Sequence, residues 1–402
     1  MPSPHRSESV SKRIYLDNSA TSYPKPPTVM EAMVRYASEL GASPGRGAYE
    51  EAREAGNLLQ DCRERIRRLV GGADTQHVIF TLNASDALNL AIRGILRPGD
   101  HAVTTDMEHN SVLRPLNRLG ETLGVETTRL PCDPVTGLAD PSAVRRAMRP
   151  NTRLVAFVHS SNVTGSLQPI ATVGRIAREH DVPFLVDAAQ SLGHVPVDVE
   201  RDCIDLLAFP GHKGLLGPLG TGALYIRPGV EARMQTIREG GTGSVSDRDT
   251  QPDFLPDRFE PGSHNAIGLI GLAAGLAWIE QRGVEALWHH EQQLIRQMLD
   301  GLHQIPGLTL YGPPTAEHRT GVFSIRVAGF SAPQALSDAL ESEHGLLTRS
   351  GLHCAPHAHR TVGSYDLGGT TRLSLGPFLE ASDIDIALQA LDRVARQGRA
   401  VA

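Results

Sequence analysis

Between residues 77 and 227 the chain alternates short apolar runs with stretches whose apolar positions recur every three or four residues. His77–Thr81, His101–Thr105, Val125–Leu130, Arg153–Val158, Pro183–Ala188, Asp205–Phe209 and Gly222–Arg227 read as strands. Asp86–Leu96, Ser111–Leu123 and Ala171–His180 read as helices, and Pro98-Gly99-Asp100 as a turn. This rhythm predicts an α/β fold with a mainly parallel sheet of the seven-stranded type, covered by helices. From Gly268 the pattern changes. Two long helices, Gly268–Gln281 and Val284–Ile305, lead into strands Leu308–Tyr311, Val322–Val327 and Arg372–Leu375 and helices Ala332–Ser342 and Ala381–Arg396. The expected division is a large domain over 28–280 and a smaller α+β domain from 1–27 and 281–402. No internal repeat is visible, and the long polar loop Gly240–Pro256 has the length of a functional or mobile segment.

Composition narrows the classes without choosing one. Of 402 residues, 40% are apolar and 21% charged, ordinary values for a soluble globular protein. The net charge is −6 and no basic stripe interrupts it, so nucleic acid is not an expected partner. No apolar run is long enough to span a bilayer. Met1–Glu8 is polar, without the apolar stretch of a signal peptide; it is expected to be a disordered lead-in, and the cytoplasm is the expected location. Cys62, Cys132, Cys203 and Cys354 are scattered and form no CxxC pair, so no disulfide framework is expected. Only Cys354 stands in a distinctive context.

The chemistry-bearing positions fall just after strands, where open α/β sheets bind ligands. Pyridoxal phosphate (PLP) chemistry needs a lysine amine, a carboxylate that keeps the pyridine nitrogen protonated, donors for the phosphate and a group covering the ring. Lys213, in Phe209-Pro210-Gly211-His212-Lys213-Gly214, is the candidate Schiff-base lysine, although a lysine among glycines also reads as a surface residue. Asp187 ends an apolar strand and suits a pyridinium partner, or equally a helix N-cap. Gln190 suits the ring's phenolic oxygen or an ordinary surface amide, and Asn162 suits the same oxygen. Ala84 and Ser85 open a helix after a strand, a place that binds phosphate through free N–H groups and also a plain N-cap. His109 is placed to stack on the ring.

Taken together and in order, these stretches resemble the class V aminotransferase-fold cysteine desulfurases, the group that includes selenocysteine lyases. The likeness rests on Tyr15-Leu16-Asp17-Asn18-Ser19-Ala20-Thr21, Asn83–Asn89, Glu108-His109-Asn110, Ser161-Asn162-Val163-Thr164-Gly165, Asp187-Ala188-Ala189-Gln190, Gly211-His212-Lys213, Phe259-Glu260-Pro261-Gly262-Ser263, Arg349-Ser350-Gly351-Leu352-His353-Cys354 and Arg372-Leu373-Ser374-Leu375-Gly376. It implies the fold type I of PLP-dependent transferases and a homodimer. It implies that Lys213 holds PLP and later moves the substrate α-proton, with His109 stacked on the ring and Asp187 at the pyridine nitrogen. Gln190 and Asn162 would tune the phenolic oxygen. Ala84, Ser85 and His212 would bind the phosphate, with Ser263 reaching in from a second subunit. Arg372, helped by Asn162 and Arg349, would hold the substrate carboxylate. Cys354 would take sulfur from L-cysteine as a persulfide, leaving L-alanine, and pass it to an acceptor protein for iron–sulfur clusters or thiolated cofactors. A thiolate is the attacking form, and Arg349 and His353 stand beside it as candidate cations.

One departure is Pro210, where relatives often carry a phosphate-binding serine. The spacing in Cys354-Ala355-Pro356-His357-Ala358-His359 also suits zinc, but a histidine-rich cysteine loop is the preferred reading and no metal is expected. Two further functions stay open: a lyase for selenocysteine or cysteine sulfinate, and a scaffold without turnover. The joint presence of Lys213 and Cys354 argues against the scaffold.

Overall fold

Seven of the strand-like runs form one sheet covered on both faces, so that, apart from the edge strand Glu126–Leu130, they are buried with almost no alternation. The computed structural model describes residues 13–44, 47–242 and 244–401; the lead-in over 1–8 lies outside the described residues. The first elements are β1 (Ile14–Tyr15), α1 (Pro27–Arg35) and α2 (Glu50–Val70). The alternating region follows: β2 (Val78–Thr81), α3 (Ala84–Ile95), β3 (His101–Thr105), α4 (Asn110–Leu123), β4 (Glu126–Leu130), α5 (Pro141–Ala147), β5 (Thr152–Val158), α6 (Ile170–Glu179), β6 (Phe184–Asp187), β7 (Leu206–Pro210) and β8 (Gly222–Ile226). Helices α7 (Ala266–Arg282) and α8 (Val284–Gln304) lead to β9 (Leu308–Tyr311), β10 (Val322–Val327), α9 (Pro333–His344), β11 (Leu346–Leu347), β12 (Arg349–Gly351), α10 (Pro356–Thr361), β13 (Thr370–Ser374) and α11 (Ala381–Val401).

The large sheet has the order β2-β8-β7-β6-β5-β3-β4. Strand β8 runs antiparallel to both neighbours and all other pairs are parallel. The fold is therefore α/β with a mainly parallel seven-stranded sheet, as the rhythm of the sequence predicts. Ile66, Val70, Val173 and Leu272 pack on one face, and Leu88, Ile92, Val112 and Leu116 on the other. A second sheet, β12-β13-β10-β9, is antiparallel and has its own core of Leu294, Ile295, Leu340, Leu391 and Val394. Ile14 and Leu16 join that second core, and β1 pairs with β11. Helix α8 crosses from one core to the other, with Leu287 on the first and Leu294 in the second.

The pattern reading leaves out α1, α5, α10, β1, β11 and β12, each too short for periodicity to declare itself. The much longer α2 is left out as well. Its apolar stripe is narrow (Ala52, Ala55, Leu59, Cys62, Ile66 and Val70) and the rest is largely Arg and Glu. The described residues of the Gly240–Pro256 loop contain no helix or strand. Among the described residues no helix is long and apolar enough to cross a membrane.

Candidate active site

The parallel strands all end on one side of the large sheet, and the polar residues that follow them converge there. Ala84, Ser85, His109, Asn162, Asp187, Gln190, His212 and Lys213 line one cleft with about 500 Å³ of empty space. Lys213 follows β7, and Asp187 ends the adjacent β6, opposite Ala208 of β7. Burial pulls the Lys213 ammonium down to about 8, and Asp187 opposes the shift. Burial pushes the Asp187 carboxyl up, while the Ala189 N–H, which donates to Oδ1 at 2.9 Å, and the Lys213 charge hold it down.

Both cleft histidines are neutral. Burial, and then the charge of Lys213, lower His109 and His212 to about 4. His109 caps α4, and its Nδ1 accepts the Ser111 N–H at 3.1 Å, so the imidazole proton sits on Nε2. The His212 carbonyl, which is part of the Lys213 peptide bond, is held from the N-terminal segment. It accepts from Lys25 Nζ at 2.8 Å, Thr21 Oγ1 at 3.0 Å, and the Ser22 N–H and Oγ, each at 3.1 Å. Burial pulls Lys25 down to about 8. Gln190 Nε2 donates to the Ser19 carbonyl at 3.0 Å.

Arg372 adjoins the cleft from β13. It is 2% exposed, donates to Asp17 Oδ1 at 2.8 Å and to the Asn162 carbonyl at 3.2 Å, and keeps a buried Nε without a hydrogen-bond partner. Burial lowers its pKa and Asp17 opposes the shift. Arg349 is exposed on β12, paired in register with Arg372.

Cys354 is exposed, on a loop tied twice to the cleft. Asn162 Nδ2 donates to the His353 carbonyl at 2.6 Å, and the Asn110 N–H donates to the Cys354 carbonyl at 2.9 Å. Both residues are left-handed, with φ of 48° at His353 and 59° at Cys354, a conformation that costs an L-residue roughly 1–2 kcal/mol. The two tethers hold that strained turn at the edge of the cleft.

His353 departs from the expectation that it supplies a cation to Cys354. It is buried, and burial holds its imidazole well below its ordinary value, with Arg372 adding to the effect. Its Nε2 lies 3.2 Å from the Thr370 carbonyl. His359 hydrogen-bonds Ser364 and His357 faces Arg129, so the two histidines look away from each other's partners. Among the described residues no three His, Cys, Asp or Glu side chains are grouped to hold a metal.

Ser263 is exposed and lines a separate depression with Asp86, Arg238 and Glu260. Its loop is anchored by Glu260, which accepts from Arg63 Nη1 at 2.7 Å and from the Phe80 N–H. The sequence gives no role to Asp17 and Ser111. Ser111 Oγ lies 2.6 Å from Ser85 Oγ and 2.9 Å from His109 Nδ1, and lines the cleft beside Pro210. A hydroxyl in the first turn of a helix that starts after a strand was the available signal.

The residues present fit PLP. The His212 Nδ1 and Asn162 Oδ1 are buried without hydrogen-bond partners, a state that normally calls for an unseen group. The first turn of α3 opens into the cleft at Ala84 and Ser85, with its N–H groups free of partners inside the helix. Asp187 supplies the buried carboxylate that a pyridinium would pair with.

The chain matches the family model for class V aminotransferases over residues 14–387. It is 34% identical to a probable cysteine desulfurase of Methanothermobacter thermautotrophicus, covering 96% of this chain and 95% of that one. The apo structure of a cysteine desulfurase from Thermococcus onnurineus superposes with a TM-score of 0.90 at 33% identity, over 96% of this chain and 95% of the other. The Escherichia coli cysteine desulfurase CsdA, solved with an S-sulfonic acid, gives a TM-score of 0.85 at 27% identity over the same shares.

Proposed function

The chain belongs to the class V aminotransferase family, and on that premise we propose that it is a PLP-dependent cysteine desulfurase that moves sulfur from L-cysteine to Cys354 and releases L-alanine. The observation that carries this reading is an exposed cysteine on a strained loop pinned to the cleft of Lys213 through Asn162 and Asn110. An aminotransferase would have no use for it.

Bound PLP would supply an electron sink in conjugation with the substrate α-carbon. Ala84, Ser85, Ser111 and His212 would hold its phosphate, Asp187 its ring nitrogen, His109 its ring face, and Gln190 and Asn162 its phenolic oxygen. Arg372, whose guanidinium Nε has no partner within the chain, would hold the substrate carboxylate, which its planar fork matches. Lys213, with an amine that burial keeps partly neutral near pH 8, takes the α-proton at Nζ and can return it. The Cys354 thiolate attacks the substrate sulfur. A sulfur–sulfur bond forms as the carbon–sulfur bond breaks; the bonding pair stays with Cβ, which takes a proton to complete the methyl group of alanine. The persulfide is then exposed for an acceptor protein, and a chain that works through a free thiol suits the cytoplasm.

Purified protein loaded with PLP should convert L-cysteine to alanine and, with a reductant, sulfide in equal amounts. Parallel assays on selenocysteine and cysteine sulfinate rank the substrates; turnover of these with none of L-cysteine would overturn the assignment. The proposed assembly is a homodimer in which each Ser263 loop completes the partner's phosphate site, since within one chain Ser263 lies outside the Lys213 cleft. Light scattering should give twice the chain mass, and Ser263→Ala should weaken PLP retention. A monomer that holds PLP normally would refute the shared site.

A further inference from the structure

A buried ion pair behind the cleft has no part in the chemistry above. His194 Nδ1 lies 2.7 Å from Glu291 Oε2, with the two side chains 15% and 12% exposed. The other carboxylate oxygen accepts the Gly321 N–H at 2.9 Å, so both oxygens of Glu291 are occupied. Burial disfavours the charge on His194, yet its pKa is raised, because Glu291 outweighs burial. Glu291 is lowered in turn by His194. Both shifts favour the charged form of the pair.

Its position is what distinguishes it. On one side the imidazole lies against the backbone of Gly214, the residue after Lys213. A Cβ at Gly214 would sit 2.7 Å from His194 Cδ2 and 2.3 Å from the Leu192 carbonyl oxygen. A Cβ at Gly193 would sit 2.3 Å from the Gly214 oxygen. The two loops touch backbone to backbone, and only glycine allows it. On the other side, Glu291 stands on α8 between the two cores, and Gly321 leads directly into β10. Strand β10 pairs with β13, with Ser324 opposite Arg372. An unbroken set of contacts runs from Lys213 through Gly214, His194, Glu291 and Gly321 to the strand that carries Arg372.

We propose that the His194–Glu291 pair is a positioning device that sets the Lys213 loop against the Arg372 strand, and so places Lys213 Nζ over the α-carbon of a substrate whose carboxylate Arg372 holds. The inference rests on the functional reading above. A buried pair of this kind is poor evidence for stability, since apolar replacements are often as stable; directional bonds at both ends fix an orientation that an apolar contact leaves loose. Misplacement by about 1 Å is enough to cost about 100-fold in rate.

The test uses the PLP-loaded protein and three variants, His194→Ala, His194→Asn and Glu291→Gln. Asparagine places an N–H donor close to where Nδ1 stands. His194→Ala should lower kcat about 10- to 100-fold with a smaller change in KM, and shift the pH midpoint of the visible PLP band, measured without substrate. His194→Asn should recover most of both, and Glu291→Gln should fall between. If His194→Ala does not fold, the Asn and Gln variants carry the comparison. A His194→Ala protein within about twofold of the unmodified kcat and with an unmoved midpoint would overturn the inference, as would lost activity that Asn does not rescue. Because the midpoint needs no substrate, failure of L-cysteine as substrate sinks the functional reading without deciding this one.

Discussion

Lys213→Ala should abolish turnover of L-cysteine and remove the imine absorbance of lysine-bound PLP, while leaving the chain folded. Lys213 is the amine that follows β7, beside Asp187, and burial pulls it to about 8, so roughly a tenth is unprotonated at pH 7, far more than for an ordinary lysine. That fraction both attaches the cofactor and takes the α-proton. Loss of a positioned base alone costs about 10²- to 10⁴-fold, and loss of the covalent attachment adds to it. The phosphate donors around Ala84 and Ser85 and the Asp187 carboxylate remain, so the variant should still take up PLP, non-covalently, and release it on dialysis. Folding should survive, because the apolar residues of β6 and β7 that pack the sheet against its helices are untouched. A retained imine band would place the attachment elsewhere. Lys25 is a half-buried amine at this loop, 2.8 Å from the His212 carbonyl and also near 8, and Lys25→Met in the Lys213→Ala background would identify it.

Much of this site could be read in the sequence because each contributor follows its own strand. Asp187 ends an unbroken apolar run, Lys213 follows another, and Asn162 a third, so strand periodicity alone puts all three at one edge of a parallel sheet. The partnerships across the chain left no such trace. Asp17 and Arg372 are 355 residues apart and meet because β13 bridges in parallel with the segment after β1. Lys25, Thr21 and Ser22 reach the His212 carbonyl across 187 to 191 residues of chain, and no local pattern marks them. His353 shows the converse error. Next to Cys354 in sequence it reads as a cation, but tertiary burial makes it neutral and turns it toward Thr370. Pro210 reads as a lost phosphate donor, whereas the fold brings Ser111 into the same cleft from the next helix. Spacing along the chain reports on strands and helices; it is silent on pairs brought together by sheet order.

Cys354→Ala should leave the visible band and the affinity for PLP unchanged and reduce sulfide and alanine formation by at least about 100-fold, the lower end of what one positioned group contributes. The separation follows from where the thiol sits. None of the groups assigned to PLP depends on the Cys354 side chain: the tethers to the loop run from Asn162 Nδ2 and the Asn110 N–H to backbone carbonyls, which alanine keeps. The side chain is exposed, so little packing is lost, and alanine meets the same left-handed backbone as cysteine, so no new strain appears. The other thiols cannot easily stand in. Burial pushes Cys62 and Cys132 up to about 12, leaving almost no thiolate at neutral pH, and Cys62 is sealed in the core beneath α2. Full sulfide release from Cys354→Ala would mean that the substrate sulfur leaves without a protein acceptor, and the persulfide route would fall while Lys213 kept its role. Trapping the unmodified protein with an alkylating agent after a single addition of L-cysteine completes the test. The extra sulfur should be found on the peptide carrying Cys354, and its appearance on the Cys203 peptide instead would relocate the acceptor.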